Sequence, residues 1–411
     1  MKQVIFNKPS DEFNRRLMPE RLPALAHSKE QGPASPYAAN QVQRGSSDQA
    51  IRVHWRLYQG DGQHSRKSMY EGSLCAAPDL NQQIEFSRRA ESLGVDSLLV
   101  DFAYNKPDPI LLASALGQHT ARIKFIIACR SGLMSPTYFV QQLNTLSSVM
   151  PNRFSLNMVV GHSPAEQKAY GDFLPHDQRF SRTQEFLDIC HKLWQAQSGV
   201  SYCGNYYRIE GAKLEAPLAV VDAHRPELFI AGSSAQAQYL ARECGDIWIS
   251  LARAPKDLAA EVKQMNLAGK QVGLRLSLIC RASRDEAIAA AQGLVAEDGD
   301  SDGELVSVEK HFVRDSDSVG ISRAFEAAET AQSPWQGDCL WTGAVKSHGA
   351  PAIALVGSPR EVAAAIFEYH QLGVQHFIFS GWPQLQEMSI FGREVLPLVR
   401  KMELAYRDEL Q

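Results

Sequence analysis

The 411-residue sequence contains little that would direct the protein to a nucleic acid or a membrane. Its formal net charge is −4, and no polybasic stretch provides the positive field that binds nucleic acids or anionic lipids. A run of about 18 apolar residues, as a spanning helix needs, is missing, and the first residues lack the apolar core and cleavage site of a secretory signal. We therefore expect a cytoplasmic protein that acts on a small molecule, without a nucleic-acid or membrane partner.

The sequence also lacks the short motifs of several enzyme classes. It contains no HExxH, no GxSxG and no GxxxxGK[ST], and no GxGxxG follows the first predicted strand. These absences argue against zinc proteases, α/β-hydrolases, P-loop enzymes and Rossmann-type dinucleotide-binding folds. The seven cysteines form no CxxC pair and have no zinc-finger spacing, so we expect reduced, mostly structural thiols and no metal site.

The chain divides into two parts by composition. Residues 1–50 are rich in Pro, Ser, Gln and charge without a sustained period, which predicts an N-terminal extension that is loose or draped over the body or a partner. From residue 51 to 411, short apolar runs alternate with helical segments. This alternation is typical of a parallel sheet covered by helices.

Eight apolar runs predict eight strands: 51–58, 95–101, 122–130, 153–161, 226–232, 246–252, 272–282 and 374–381. Between them, helical patterns include 79–94, 136–150, 182–196 and 358–373, the last of which opens with a Ser-Pro-x-Glu capping box. Eight strand–helix units indicate a (β/α)8 TIM barrel with insertions. An open doubly wound sheet is the alternative, disfavoured by the missing glycine motif.

Two segments interrupt the regular alternation. Residues 201–215 predict a small hairpin with Gly204 and Asn205 at its turn. Residues from about 283 to 357, between the seventh and eighth strands, are rich in Gly, Ser and Asp. We expect this longer insertion to be a mobile lid over the active site.

Barrel enzymes form their sites where the strands end, so the residues that follow each strand are the candidates. The fifth run ends in Gly232, Ser233 and Ser234 before a helix. Hydroxyls and backbone amides at a helix start suit a phosphorylated cofactor, although the same serines could simply cap the helix. Arg275, on an inward-facing strand position, is costly unless paired, and indicates either a site residue or a structural ion pair.

Several long segments resemble the bacterial luciferase-like flavin monooxygenases, most closely the alkanesulfonate monooxygenase branch. They include RFSLNMVVGHSP, PELFIAGSSAQAQYLARECGDIWIS and LWTGAVKSHGAPAIALVGSPREVAAAIFEYHQLGVQHFIFSGWPQLQE, and the resemblance extends over about 51–400. It implies a TIM barrel that uses reduced FMN (FMNH2) and O2, through a flavin peroxide, to oxygenate a small organic substrate. It also implies a separate NAD(P)H-dependent flavin reductase as partner and a homodimer or homotetramer.

The resemblance also implies roles for individual residues. It assigns FMN binding to Ala128, Cys129, Asn157, Gly161, His162, Gly232, Ser233 and Ser234. It assigns catalysis to Arg275 and Arg323. Lys106 and Trp382, at positions where the family has other site residues, are further catalytic candidates, and Tyr58 and Ser277 are candidates for substrate binding. The sulfonate enzymes have histidine, cysteine and tyrosine where this chain has Ser277, Lys106 and Trp382. The sulfonate-cleaving set is therefore incomplete, and the substrate stays open.

Three alternatives follow from these departures. The first is a tailoring oxygenase of specialised metabolism that acts on an amino-acid-like or carrier-bound molecule, with a carrier protein as partner. The second is a flavin-binding protein without turnover, and the third is a deazaflavin-dependent dehydrogenase on the same barrel.

Overall fold

In a computed structural model of the protein, the described residues are 50–59, 79–103, 106–219, 225–296 and 316–410. The predicted N-terminal extension, apart from residue 50, lies outside them. Eight parallel strands alternate with helices. They are β1 (Arg52–Arg56), β2 (Ser97–Val100), β3 (Lys124–Cys129), β4 (Phe154–Met158), β5 (Leu228–Ala231), β6 (Ile247–Leu251), β7 (Gln271–Cys280) and β8 (His376–Ser380).

The eight strands form a closed barrel. Each strand pairs in parallel with the next one along the chain, and β8 pairs with β1, where Phe377 lies opposite Val53. The predicted (β/α)8 barrel is confirmed. Seven of the eight predicted segments contain one of its strands, and the segment 272–282 overlaps β7, which begins one residue earlier, at Gln271. Closure excludes the open sheet.

Helices surround the barrel, and local capping explains several of their ends. The Ser358 side chain accepts a hydrogen bond from the Glu361 N–H, and the Glu361 carboxylate accepts one from the Ser358 N–H, which confirms the predicted capping box. The helices are α1 (Leu80–Ser92), α2 (Pro109–Gly117), α3 (Pro136–Val149), α4 (Pro164–Ala169), α5 (His176–Gln195), α6 (Ala235–Cys244), α7 (Pro255–Leu267), α8 (Arg284–Ala296), α9 (Val319–Thr330), α10 (Val345–His348), α11 (Pro359–Leu372), α12 (Gln384–Ile390) and α13 (Leu396–Leu410). Within these ranges, none of the helices has the length and apolar character needed to cross a membrane.

The two interruptions have different structures. The first is an antiparallel hairpin of strands Val200–Cys203 and Arg208–Ala212, as predicted. The second, between β7 and β8, contains α8, α9, α10 and the short strands Leu340–Trp341 and Ala354–Gly357. We call this second segment the insertion; its residues 297–315 lie outside the described part of the chain.

The insertion is joined to the barrel wall through β7, which is ten residues long. The middle of β7 pairs with β8, where Arg275 lies opposite Ile378, and its last part pairs in parallel with Ala354–Gly357. The sequence analysis did not predict this extra strand, although all four of its residues are buried. The role of the insertion as a lid remains a prediction.

Apolar side chains from different strands fill the barrel interior: Leu99, Ile126, Phe229, Ile247, Ile249 and Ile378. Burial of each such side chain contributes about 1.5–3 kcal/mol. Gly273 of β7 makes room for this layer, because a Cβ on it would lie 2.3 Å from Ile249 Cδ1. The interior is therefore a packed core and not a pore.

Two histidines lie in the same interior. The Nε2 of His54 lies 3.0 Å from Nδ1 of His376, whose Nε2 lies 2.9 Å from Oε1 of Gln271. Burial, with smaller contributions from Arg52 and Lys124, lowers the pKa of His54 from 6.5 to about 3. The folded protein therefore keeps His54 neutral at pH 5, whereas the unfolded chain binds a proton there.

We expect acidification from pH 7 to pH 5 to reduce the free energy of unfolding through His54. Because only the unfolded chain gains this proton, stability rises with pH between the two pKa values, and about 2 kcal/mol is lost over this interval. In His54→Phe that component should vanish, as measured by urea unfolding at both pH values. His119→Gln, at an exposed position, is the control, and an equal pH response in His54→Phe and the wild type would contradict the assignment.

Candidate active site

The inner face of the barrel changes from apolar to polar toward the carboxyl ends of the strands. Side chains two residues apart on a strand share a face, so Arg56 follows His54 on β1 and Ser380 follows Ile378 on β8. On β7 the same face carries Gly273, then Arg275. Charged and hydroxyl groups therefore meet at this end of the barrel, which we call the mouth.

A charged cluster occupies one side of the mouth. The carboxylate of Asp101, just beyond β2, accepts hydrogen bonds from Arg56 Nε at 2.5 Å and from Lys106 Nζ at 3.1 Å. The Arg56 and Lys106 side chains are almost completely buried. Burial alone would raise the pKa of Asp101, but Lys106, Arg56 and Arg275 together hold it well below its usual range. Asp101 is therefore ionised, and the predicted residues Lys106 and Arg275 lie around it.

Arg275 is a buried cation without an ion pair among the described residues. Its Nη1 donates to Ser380 Oγ at 3.1 Å and to the Ile378 carbonyl at 3.3 Å. Burial lowers its pKa to about 10, Arg56 adds to this effect and Asp101 opposes it, so the guanidinium is charged at neutral pH. Its Nε and Nη2 contact no acceptor in the described part of the chain, which leaves them available to an anionic ligand group.

Ser277 lies two residues beyond Arg275, on the same face of β7, and is fully buried. Its hydroxyl donates to the Pro351 carbonyl at 2.7 Å and lies 2.9 Å from Ser380 Oγ. Ser277 therefore connects the barrel to the insertion as well as to the hydroxyl that accepts from Arg275. Its predicted substrate contact remains a prediction.

The two predicted aromatic residues lie in packed layers. The Tyr58 hydroxyl donates to Gln82 at 3.2 Å, and its ring packs against Phe86 of α1. Trp382 packs in an apolar cluster with α8 and other residues of the insertion, and the centre of its ring lies 5.0 Å from the centre of the His348 ring. Their substrate and catalytic roles remain predictions.

Orphan polar atoms gather where β3 and β4 end. Oδ1 of Asn157, Nε2 of Gln167, and Nε and Nη1 of Arg130 are buried without a hydrogen-bond partner among the described residues. Arg130 pairs with Glu166 through Nη2 at 2.5 Å, and its guanidinium lies 4.5 Å from the centre of the Phe102 ring. Because unsatisfied buried polar groups are costly, this end of the barrel fits the polar atoms of a ligand.

The other residues predicted on β3 and β4 lie beside these orphan atoms. Ala128 and Cys129 are buried at the end of β3, and burial raises the pKa of the Cys129 thiol far above neutrality, so it is not a thiolate. Gly161 has φ +80°, and a Cβ there would overlap Gln167. Burial lowers the pKa of His162, which favours the neutral ring.

Ser233 and Ser234 follow β5, and the sequence allowed them either to bind a phosphate or to cap the next helix. Ser234 caps α6, since its hydroxyl accepts from the Ala237 N–H at 3.1 Å. Ser233 lies 3.4 Å from Ser250 Oγ and lines a cavity. Gly232 has φ +139°, and a Cβ on it would lie 2.7 Å from Ala237 Cβ, so this turn requires glycine. Ser234 therefore caps α6 and Ser233 lines the cavity, and the FMN-binding roles of both serines remain predictions.

The cavity beside Ser233 has a volume of about 620 Å³ and lies between the ends of β5 and β6 and the insertion. Three cations line it, namely Arg253, Lys256 and the predicted Arg323. Nη1 of Arg323 lies 3.9 Å from Glu261 Oε1, and 42% of the Arg323 side chain is exposed. Within the described ranges, no three His, Cys, Asp or Glu side chains converge as they would around a metal ion.

A family model described as luciferase-like monooxygenase matches residues 52–376. This protein belongs to the luciferase-like monooxygenase family. The match covers every strand of the barrel except the last residues of β8, and it confirms the resemblance drawn from the sequence at the level of the family. The alkanesulfonate branch within that family remains a prediction.

Solved structures share the fold of this luciferase-like protein at low sequence identity. Riboflavin lyase, solved with modified FMN and riboflavin, aligns with a TM-score of 0.71 and 17% identity over 86% of this chain and 92% of its own. EDTA monooxygenase from Chelativorans sp. BNC1 gives 0.67 and 18% over 86% and 94%. The oxygenating constituent of 3,6-diketocamphane monooxygenase from Pseudomonas putida, solved with FMN, gives 0.62 and 18% over 85% and 99%. An F420-dependent secondary alcohol dehydrogenase also has this fold, with a TM-score of 0.60.

The sequence analysis did not assign four charged residues that the barrel brings to the mouth: Arg56, Asp101, Arg130 and Arg179. A signal for the first three was present, because each follows an apolar run at the carboxyl end of its strand. Their convergence depends on which strands are neighbours, and a single strand does not show this.

We expect Asp101→Asn to destabilise the protein by about 3 kcal/mol, because it removes the carboxylate that Arg56 and Lys106 share in a poorly solvated site. Thermal and urea unfolding would measure this loss. Asp177→Asn, in which the carboxylate is 70% exposed, is the matched control. Equal stability of the two variants would show that the charged cluster does not depend on Asp101.

Proposed function

We propose that this protein is an FMN-dependent monooxygenase that uses reduced FMN and O2 to oxygenate a small organic substrate. The proposal includes a separate NAD(P)H-dependent flavin reductase as the source of reduced FMN. The observation that carries it is the mouth of a luciferase-like barrel with two kinds of buried polar group. Arg275 is a buried guanidinium without an ion pair among the described residues, and Asn157 and Arg130 carry orphan polar atoms at the ends of β4 and β3. FMN in two proteins of the same fold supports the choice of cofactor.

The residues present fit a phosphorylated flavin. Ser233 and the first N–H groups of α6 would hold the phosphate, because a helix start carries both donors and a positive partial charge. Gly232 and Gly161 have positive φ, and a Cβ on either would collide with Ala237 or Gln167, so both turns that border the site require glycine. Asn157 Oδ1 would accept from the polar edge of the flavin ring, which would satisfy an atom that has no partner in the described protein.

When bound, reduced FMN supplies the electrons that activate oxygen. Arg275 would stabilise the negative charge that develops at the mouth, where low solvent access strengthens the interaction. At the mouth, the Asp101 carboxylate binds both Lys106 and Arg56. Lys106 would therefore be positioned to hold or give a proton. Ser277 would align Ser380 against the guanidinium.

We expect Ser233→Ala to weaken FMN binding about tenfold, the effect of losing one hydrogen bond to a charged group. Riboflavin, which lacks the phosphate, should bind Ser233→Ala and the wild type equally. Fluorescence titration with both flavins measures this. Ser234→Ala should weaken FMN binding and also cost helix stability, and Ser358→Ala, which removes the equivalent cap of α11, controls for that second effect. Unchanged FMN affinity in both Ser233→Ala and Ser234→Ala would show that the two serines have a purely structural role.

We expect Arg275→Gln to slow the reaction of bound reduced FMN with O2 by about 100-fold, as loss of one preorganised charge typically does. Anaerobic stopped-flow mixing with oxygenated buffer, at saturating FMN, gives the rate constant. Arg208→Gln on the exposed hairpin, where the side chain is 76% exposed, is the control. Equal rates in both variants would remove Arg275 from the reaction.

The oxygenase function itself is tested with isotopically labelled ¹⁸O2. The protein, a flavin reductase, NADH and FMN are incubated with a panel of alkanesulfonates, ketones, alkanes and amino acids, both free and tethered to a carrier protein. Incorporation of one labelled oxygen atom into any member supports the proposal, and the carrier arm distinguishes a tailoring oxygenase. Tight FMN binding without labelled product from any member would instead indicate a flavin-binding protein, and preferential binding of a deazaflavin would indicate a dehydrogenase.

A further inference from the structure

The entry to α9 contacts the ends of both β4 and β5. The backbone N–H of Asp317 donates to the His162 carbonyl at 3.0 Å. Three residues later, Gly320 lies against Ser233, since a Cβ on Gly320 would lie 3.1 Å from Ser233 Oγ. Four consecutive residues span at most about 11 Å. Residues 317–320 therefore connect the ends of β4 and β5 and keep Asp317 within about 11 Å of the residue that contacts Ser233.

Arg179 of α5 lies beneath this bridge. Its side chain is only 3% exposed. Nη1 donates to the Leu174 carbonyl at 3.0 Å, and Nη2 donates to the Gly161 carbonyl at 3.4 Å and to the carboxylate of Asp317. Nε is buried without a partner in the described part of the chain. The guanidinium is thus held by backbone carbonyls, and Asp317 is the anion it binds.

The Asp317 carboxylate is only partly satisfied by this pair. Its Oδ1 has no hydrogen-bond partner among the described residues. Two nearby carboxylates, Glu166 of α4 and Asp172 in the loop that follows it, pair with other arginines, Glu166 with Arg130 and Asp172 with Arg182. Asp317 differs from them because it comes from the insertion and crosses to the barrel.

We propose that Arg179 is the cation for the terminal phosphate of the cofactor and that Asp317 occupies it until the phosphate takes its place. Carboxylate and phosphate bind a guanidinium through the same N–H···O geometry, so the two anions compete for one buried cation. Displacement of Asp317 would also loosen the entry to α9 and so couple phosphate binding to the position of the insertion. The inference rests on the proposed FMN function and adds a regulatory contact to it.

The test compares FMN with riboflavin, which differ by the phosphate alone. Asp317→Asn should tighten FMN binding about tenfold, the order expected for removal of a competing charge, and change riboflavin binding by less than about twofold. Arg179→Gln should weaken FMN binding about tenfold without affecting riboflavin, and Arg179→Lys should restore part of the loss. Asp177→Asn, which removes a 70% exposed carboxylate of α5 outside the candidate site, should change neither affinity.

Each outcome decides between the alternatives. Unchanged or weaker FMN binding by Asp317→Asn would show that Asp317 only fastens the insertion, and would overturn the inference. Equal weakening of FMN and riboflavin by Arg179→Gln would show that Arg179 supports the fold and not the phosphate. A wild-type protein that binds neither flavin would instead refute the proposed FMN function, and the inference with it.

Discussion

Closure of the eight-stranded sheet is the constraint on which the rest of the structure depends. Because β8 pairs with β1, all strands share one interior, and the two-residue period of a strand decides which side chains enter it. Along β7 this period places Gly273 in the apolar layer and Arg275 at the mouth. The same geometry brings Ser380 of β8 within 3.1 Å of Arg275. A polar site at one end of an apolar core follows from this arrangement.

The charges at the mouth are expensive for the fold, which indicates that they serve binding or chemistry. A buried ion pair often contributes little net stability compared with apolar packing. Arg275 lacks even an ion pair among the described residues, and burial lowers its pKa to about 10. The orphan atoms of Asn157 and Gln167 add to this cost. Stability therefore does not account for these groups, whereas a bound polar ligand would satisfy them.

The insertion belongs to the site as much as the barrel does. It is held at one end by its strand Ala354–Gly357, which pairs with β7, and Ser277 donates across this junction to Pro351. At its other side, Asp317 reaches Arg179. Two contacts of different chemistry thus connect the insertion to the barrel, a hydrogen bond at β7 and an ion pair at α5.

The sequence by itself determined the eight strands, the hairpin, the capping box of α11 and the family, because each depends on residues close together in the chain or on long matching segments. Tertiary structure decided that Ser233 faces the cavity beside the insertion. It also decided that Asp101 joins Arg56 of the neighbouring strand, and that Arg179 meets Asp317, 138 residues further on. These contacts could not be predicted from one sequence, because they depend on which strand ends become neighbours when the barrel closes.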